Sequence, residues 1–215
     1  MSPRGPLLVL GFGPFPGMPA NPSAGLARRL GRMRRPALAD VRLCVEILPT
    51  TWQAVAQAPA LITRLHPSAI LMLGVAGRRR KVCVEVRSVN TAADAPDARR
   101  RHPTGRAIVT GDPHIFRTSA NAPRLRAALH RVPAALSRDA GRYLCNALYF
   151  QVLRTLAMDP TPVPAVFVHI PRGPRHGRPA FEQRLTGAMG DLLVALAAQR
   201  PTGPAASPQE GAAHP

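Results

Sequence analysis

Residues 69–77 read Ala69-Ile70-Leu71-Met72-Leu73-Gly74-Val75-Ala76-Gly77. A continuous apolar run of this length, closed by glycine, reads as a strand over Ala69 to Val75 that is buried on both faces. Similar runs occur at Leu7 to Leu10, closed by Gly11, and at Ala165 to His169, followed by Ile170-Pro171. Val41 to Leu48, closed by Pro49, reads as a further strand, as does the β-branched, alternating stretch Val82 to Val89. Helices are predicted between them. One runs from Ser23 to about Gly31. Another covers Thr51 to Leu65, where Trp52, Val55, Ile62 and Leu65 share helical spacing and Pro59 kinks or restarts the helix. Others cover about Ala122 to Arg131, Tyr143 to Met158 and Ala180 to Gln199; the last puts Phe181, Leu185, Met189, Leu192 and Leu196 on one face.

Buried strands alternating with amphipathic helices predict an α/β fold, a three-layer α/β/α sandwich on a mostly parallel sheet. Ligands of such sheets bind beyond the carboxyl ends of the strands. Gly11 to Gly17, Gly74 to Gly77 and the loop after His169 are therefore candidate site walls. The segment Thr91 to Thr118 holds Pro96, Pro103, Gly105, Gly111 and Pro113. It reads as a long excursion with one short strand at Ala107 to Val109, and excursions of this kind are often functional covers. Residues 1–199 read as one domain, and 200–215, rich in Pro, Ala and Gly, as a disordered tail.

The chain has 215 residues and a formal charge of +18, from 29 basic and 11 acidic side chains. Lys81 is the only lysine. A basic balance can mark a nucleic-acid surface. The arginines are scattered, however, with short runs only at Arg78-Arg79-Arg80 and Arg99-Arg100-Arg101, which favours compositional bias. No run of about 18 apolar residues is present, so no membrane helix is expected. No cleavage signal follows the N-terminus. Three cysteines without CxxC spacing argue against a disulfide framework or structural zinc, and a reducing cytoplasm is the default compartment. The glycine-rich stretch after Leu10 lacks the lysine of a phosphate loop, and no metal or cofactor is implied.

Three residues carry the chemistry. Cys145 falls where an apolar helix begins. Free N–H groups and the positive end of the helix dipole there favour a thiolate and could hold an oxyanion. The alternative is a core cysteine, which is the favoured reading for Cys44 and Cys83, both inside strands. His169 stands at a strand's carboxyl end, facing a site or satisfied in the core. Glu85 lies in the otherwise apolar Val82-Cys83-Val84-Glu85-Val86. A carboxylate is costly to bury there without a partner. It either orients a histidine or faces water on an edge strand beside Arg87. Together the three make a complete nucleophile, base and acid set.

Five motifs, in order, resemble the pyroglutamyl peptidase I family of cysteine peptidases. They are Leu10-Gly11-Phe12-Gly13-Pro14-Phe15-Pro16-Gly17 with Asn21-Pro22-Ser23; Gly74-Val75-Ala76-Gly77-Arg78; Val84-Glu85 with Asn90; Gly141 to Asn146; and Phe167-Val168-His169-Ile170-Pro171. The resemblance covers most of residues 7–199. It implies removal of an N-terminal pyroglutamyl residue from a small peptide, with Cys145 as nucleophile, His169 as base and acid, and Glu85 as its orienting carboxylate. It further implies Phe12 and Phe15 around the flat pyrrolidone ring, Tyr143 and Leu144 in place of the family's Phe-Val, and a homo-oligomer. Val75 replaces the family's glutamine, which removes an amide from the expected pocket region, and Ala147 replaces its histidine. The competing expectations are a related cysteine amidase of altered acyl preference and a basic nucleic-acid-binding protein on the same fold.

Overall fold

The computed structural model describes residues 5–174 and 176–200. Its central sheet uses six strands: Leu7–Phe12 (β1), Leu43–Leu48 (β2), Ala69–Val75 (β3), Val82–Glu85 (β4), Ala134–Ser137 (β7) and Ala165–Ile170 (β8). Two short strands, Arg87–Val89 (β5) and Ile115–Arg117 (β6), pair separately with each other. The helices are Pro22–Gly31 (α1), Trp52–Ala56 (α2), Ala58–Leu65 (α3), Ala122–Ala128 (α4), Leu144–Ala157 (α5) and Arg178–Ala197 (α6). The strand order is β2-β1-β3-β8-β4-β7, and every pairing is parallel except β8 with β4.

Strand alternation divides the core into two layers. Leu7 and Val9, Leu71 and Leu73, Val82 and Val84, and Val166 and Val168 pack with α1, α4 and α6. Leu8 and Leu10, Ile70 and Met72, and Ala165 and Phe167 pack with α3 and α5. This is the three-layer α/β arrangement the strand pattern predicts. Leu185, Met189, Leu192 and Leu196 are buried on α6, as its spacing requires.

Several expectations are corrected. Val82 to Val89 is not one strand. Its run breaks at Val86, whose N–H donates to the Ser137 carbonyl while its own carbonyl accepts from Thr118 N–H, which turns the chain out of the main sheet. No strand forms at Ala107 to Val109. The N–H groups of Ile108 and Val109 instead donate to the side-chain oxygen of Asn90, at 2.8 and 3.0 Å. A side-chain amide thus supplies the partner that a neighbouring strand would otherwise provide. Sequence reading overlooks β7, a half-exposed edge strand with no apolar run, held by its pairing with β4. At Thr51 to Leu65 the expectation holds: Pro59 restarts the helix, sitting in the first turn of the second of two helices. The tail expected to be disordered lies outside the described residues from 201 onward.

One buried side chain locks the excursion to the sheet. Asn146, on the first turn of α5, has no exposed surface. Its oxygen accepts the Val89 N–H at 3.0 Å, and its amide donates to the carbonyls of Val89 and Thr91 at 2.8 and 3.1 Å. Asn146→Ala strands these backbone groups away from water. The expected cost is about 3 kcal/mol, read as a lower urea midpoint by far-UV circular dichroism.

Candidate active site

Gly74, His169, Glu85 and Phe12 fall on the α5 side of the sheet, because the residues two positions before each belong to that layer or share its alternation. Parallel register sets Gly74 beside His169. The Cys145 thiol lies directly over Gly74. A Cβ built at residue 74 would sit 2.8 Å from Cys145 Sγ and 2.7 Å from Phe167 Cζ. Only glycine admits that approach. β1 pairs with β2 on one side and β3 on the other, so the loops after β1 and β3 diverge into a crevice at the switch in strand order.

Cys145 is the second residue of α5 and is half-buried. The first helical hydrogen bond runs from Ala147 N–H to the Tyr143 carbonyl at 3.0 Å. The N–H groups ahead of it have no partner within the helix, which leaves donors beside the thiol. His169 is buried and packs on Phe167, with ring centroids 4.8 Å apart. Its Nδ1–H donates to Glu85 Oε1 at 2.8 Å. β4 runs antiparallel to β8 with Cys83 opposite His169, so Glu85 reaches the imidazole as a diagonal neighbour. Burial pushes the imidazole pKa down. Hydrogen bonds and charge from Cys145 and Glu85 outweigh it and raise His169 to about 9.

Glu85 has no exposed surface. Its Oε1 takes a second donor, Arg79 Nη1, at 2.7 Å. The same nitrogen donates to Ser137 Oγ at 3.1 Å, and Arg79 Nη2 donates to the Asp139 carbonyl. Tyr149, fully buried on α5, donates its hydroxyl to the Glu85 carbonyl at 2.9 Å. The sequence brought no attention to Arg79, which hides in the run Arg78-Arg79-Arg80. Of those three only Arg79 is part-buried; its neighbours are exposed.

The surroundings of the Cys145 thiol are apolar. Phe12, Leu144, Tyr143 and Trp52 join the cluster that holds Cys145. Asn21 caps α1 and holds the Gly13 carbonyl at 2.8 Å, with Thr50 Oγ1 on the same oxygen, also at 2.8 Å. That gives the Asn-Pro-Ser motif a structural role: it fixes the start of the loop after β1. Trp52 and Tyr143 meet edge to face at 5.5 Å and hold the excursion through the carbonyls of Ala95 and Pro96. Asp97 accepts backbone N–H groups of Trp52, Arg99 and Arg101; burial pushes its pKa up, but these donors outweigh it and hold it low. Phe15 is half-buried in the loop after β1, outside that cluster. The Val75 side chain is not brought to Cys145 either. Alternation along β3 turns it to the opposite layer, where it packs with the α1, α4 and α6 core. A groove of about 590 Å³, lined in part by His66, Pro67, Met158 and Val163, opens where β3 and β8 begin, at the far end of the sheet from His169.

Residues 6–182 match the family described as Pyroglutamyl peptidase. The chain is 32% identical over 169 residues to the pyrrolidone-carboxylate peptidase of Thermococcus onnurineus, covering 77% of this chain and 82% of that protein. Identity is also 32% to that of Gloeobacter violaceus, covering 77% and 80%. Pyroglutamyl peptidase I of Bacillus amyloliquefaciens superposes with a TM-score of 0.78 at 26% identity, covering 91% of this chain and 98% of that one.

Gly74→Ala forces the thiol or Phe167 to move. Alkylation of Cys145 by iodoacetamide, followed by peptide mass spectrometry, is expected to slow at least about tenfold, in line with small displacements of a reacting group.

Proposed function

The chain belongs to the pyroglutamyl peptidase family, and from that premise we propose that it removes an N-terminal pyroglutamyl residue from peptides through Cys145, His169 and Glu85. The observation that carries this reading is one contiguous arrangement. A thiol sits over Gly74, a raised imidazole stands beside it, and a buried carboxylate grips the far nitrogen of that imidazole.

The thiolate of Cys145 attacks the pyroglutamyl carbonyl, forming a carbon–sulfur bond. The oxyanion faces the unpaired N–H groups of the first turn of α5. His169, as imidazolium, gives its proton to the leaving amine while the carbon–nitrogen bond breaks. A water then attacks the thioester as His169 takes its proton, and pyroglutamate leaves with the thiol restored. Glu85 holds the imidazole by Nδ1, which keeps the other nitrogen directed at the reaction. Half-buried Phe15 and Tyr143 are the side chains assigned to the flat ring, while Phe12 and Leu144 are buried in the apolar cluster around Cys145.

Nucleic-acid binding finds no support in the arginine arrangement. Arg29, Arg35, Arg131 and Arg178 pair with Glu182 or Asp191 of α6, Arg64 with Glu46 and Arg154 with Asp112, so these arginines are neutralised by carboxylates rather than left free for phosphates. No helix among the described residues is long and apolar enough to cross a membrane. Cys44, Cys83 and Cys145 are free thiols. With them we assign the protein to a reducing, cytoplasmic setting, and a homo-oligomer is part of the same reading.

Cys145→Ala is expected to lower kcat on pyroglutamyl 4-nitroanilide at least about a thousandfold, measured as nitroaniline release; activity that survives the change removes Cys145 from the mechanism. The active form needs protonated His169. Because that pKa is raised above its ordinary 6.5, the alkaline limb of kcat/KM is expected near pH 9. Glu85→Gln removes an anion that favours the imidazolium, so its limb moves down toward 6.5.

A further inference from the structure

We propose that Arg79 is a positioning residue of the reaction: it fixes the Glu85 carboxylate against His169 and shares that carboxylate's charge, so that His169 can release its proton to the leaving amine. The inference rests on the roles given above to Cys145, His169 and Glu85.

The geometry is specific. Arg79 Nη1 and His169 Nδ1 donate to the same oxygen, Glu85 Oε1, at 2.7 and 2.8 Å. Glu85 Oε2 is buried and has no hydrogen-bond partner among the described residues. One oxygen therefore faces both cations. Arg79 is itself held from two sides, by Ser137 Oγ on β7 and by the Asp139 carbonyl just beyond it. Its fork spans the loop after β3, the end of β4 and the end of β7. The groups that face this carboxylate are Arg79 and His169 from β8; the Tyr149 hydroxyl from α5 donates instead to the Glu85 main-chain carbonyl, Cys83 lies on the same strand beside Arg79, and Cys145 faces the imidazole. The Asp139 carboxylate points elsewhere, to Gly141 N–H and Arg142.

Consider the cycle without the guanidinium. When His169 gives up its proton, Glu85 becomes a lone buried anion, which is strongly disfavoured. His169 then keeps its proton more tightly, and proton delivery to the amine slows. With Arg79 present the anion always has a cation partner. A neighbouring positive charge also makes the imidazolium a stronger acid. Arg79 thus opposes the upward pull of Glu85 and Cys145 on His169.

The test is a histidine-ring NMR titration of the full chain, with His169 assigned by loss of its signal in His169→Asn, alongside kcat and KM on pyroglutamyl 4-nitroanilide. Arg79→Met is expected to raise the His169 pKa by about one unit or more and to lower kcat at least about fivefold, with KM within about twofold. Arg79→Lys, which keeps the charge, is expected to stay close to the wild-type pKa. Should Arg79→Met fail to fold, Arg79→Gln keeps donors without charge and carries the same expectation. An unchanged or lowered His169 pKa in the neutral variants overturns the proposal. The NMR readout needs no substrate. Absence of pyroglutamyl turnover in the wild type would instead count against the reading of function.

Discussion

A carboxylate with no exposed surface is the constraint on which this site depends. Glu85 sits inside the sheet, and burying it alone would cost several kcal/mol. Two donors converge on its Oε1: an imidazole from β8 and a guanidinium from the loop after β3. The fold serves that convergence. β4 must run against β8 to bring Glu85 diagonal to His169, and β7 must lie beyond β4 to hold Arg79 by its far side. The antiparallel pairing in an otherwise parallel sheet is thus part of the site.

The position of the Cys145 thiol is set by a second constraint, space. Gly74 stands next to His169 in register, and its missing side chain is where Cys145 Sγ rests. α5 therefore approaches the sheet closely at its first turn, with its unpaired N–H groups next to the thiol. Asn146, one residue on, ties that turn to the strand and loop that begin the excursion. Thiol, donors and cover are held by neighbouring residues of one helix end.

Much of this was legible in the residues. The apolar runs at Leu7, Ala69 and Ala165 gave their strands because each is buried on both faces. Cys145 is legible as a thiol at a helix start, His169 as an imidazole at a strand's carboxyl end, and Glu85 as a carboxylate in an apolar strand. What could not be read depends on contacts distant in sequence. Arg79 looked like one more arginine in a chain biased toward them, and its role arises only when β7 and β4 bring Ser137, Asp139 and Glu85 around it. The strand expected at Ala107 to Val109 gives way to the Asn90 side chain, a competitor that periodicity does not register. Val75 reads, by resemblance, as the loss of an amide from the pocket region. Alternation along β3 turns its side chain to the other layer, away from Cys145.

The central claim is that Cys145 carries the acyl group, and intact-protein mass spectrometry of acid-quenched turnover tests it most directly. A pyroglutamyl ester mixed with enzyme and quenched within the first turnover should leave one pyroglutamyl increment, mapped to the peptide that contains Cys145. Turnover that leaves Cys145 unmodified, or an increment on Cys44 or Cys83 instead, would contradict the account.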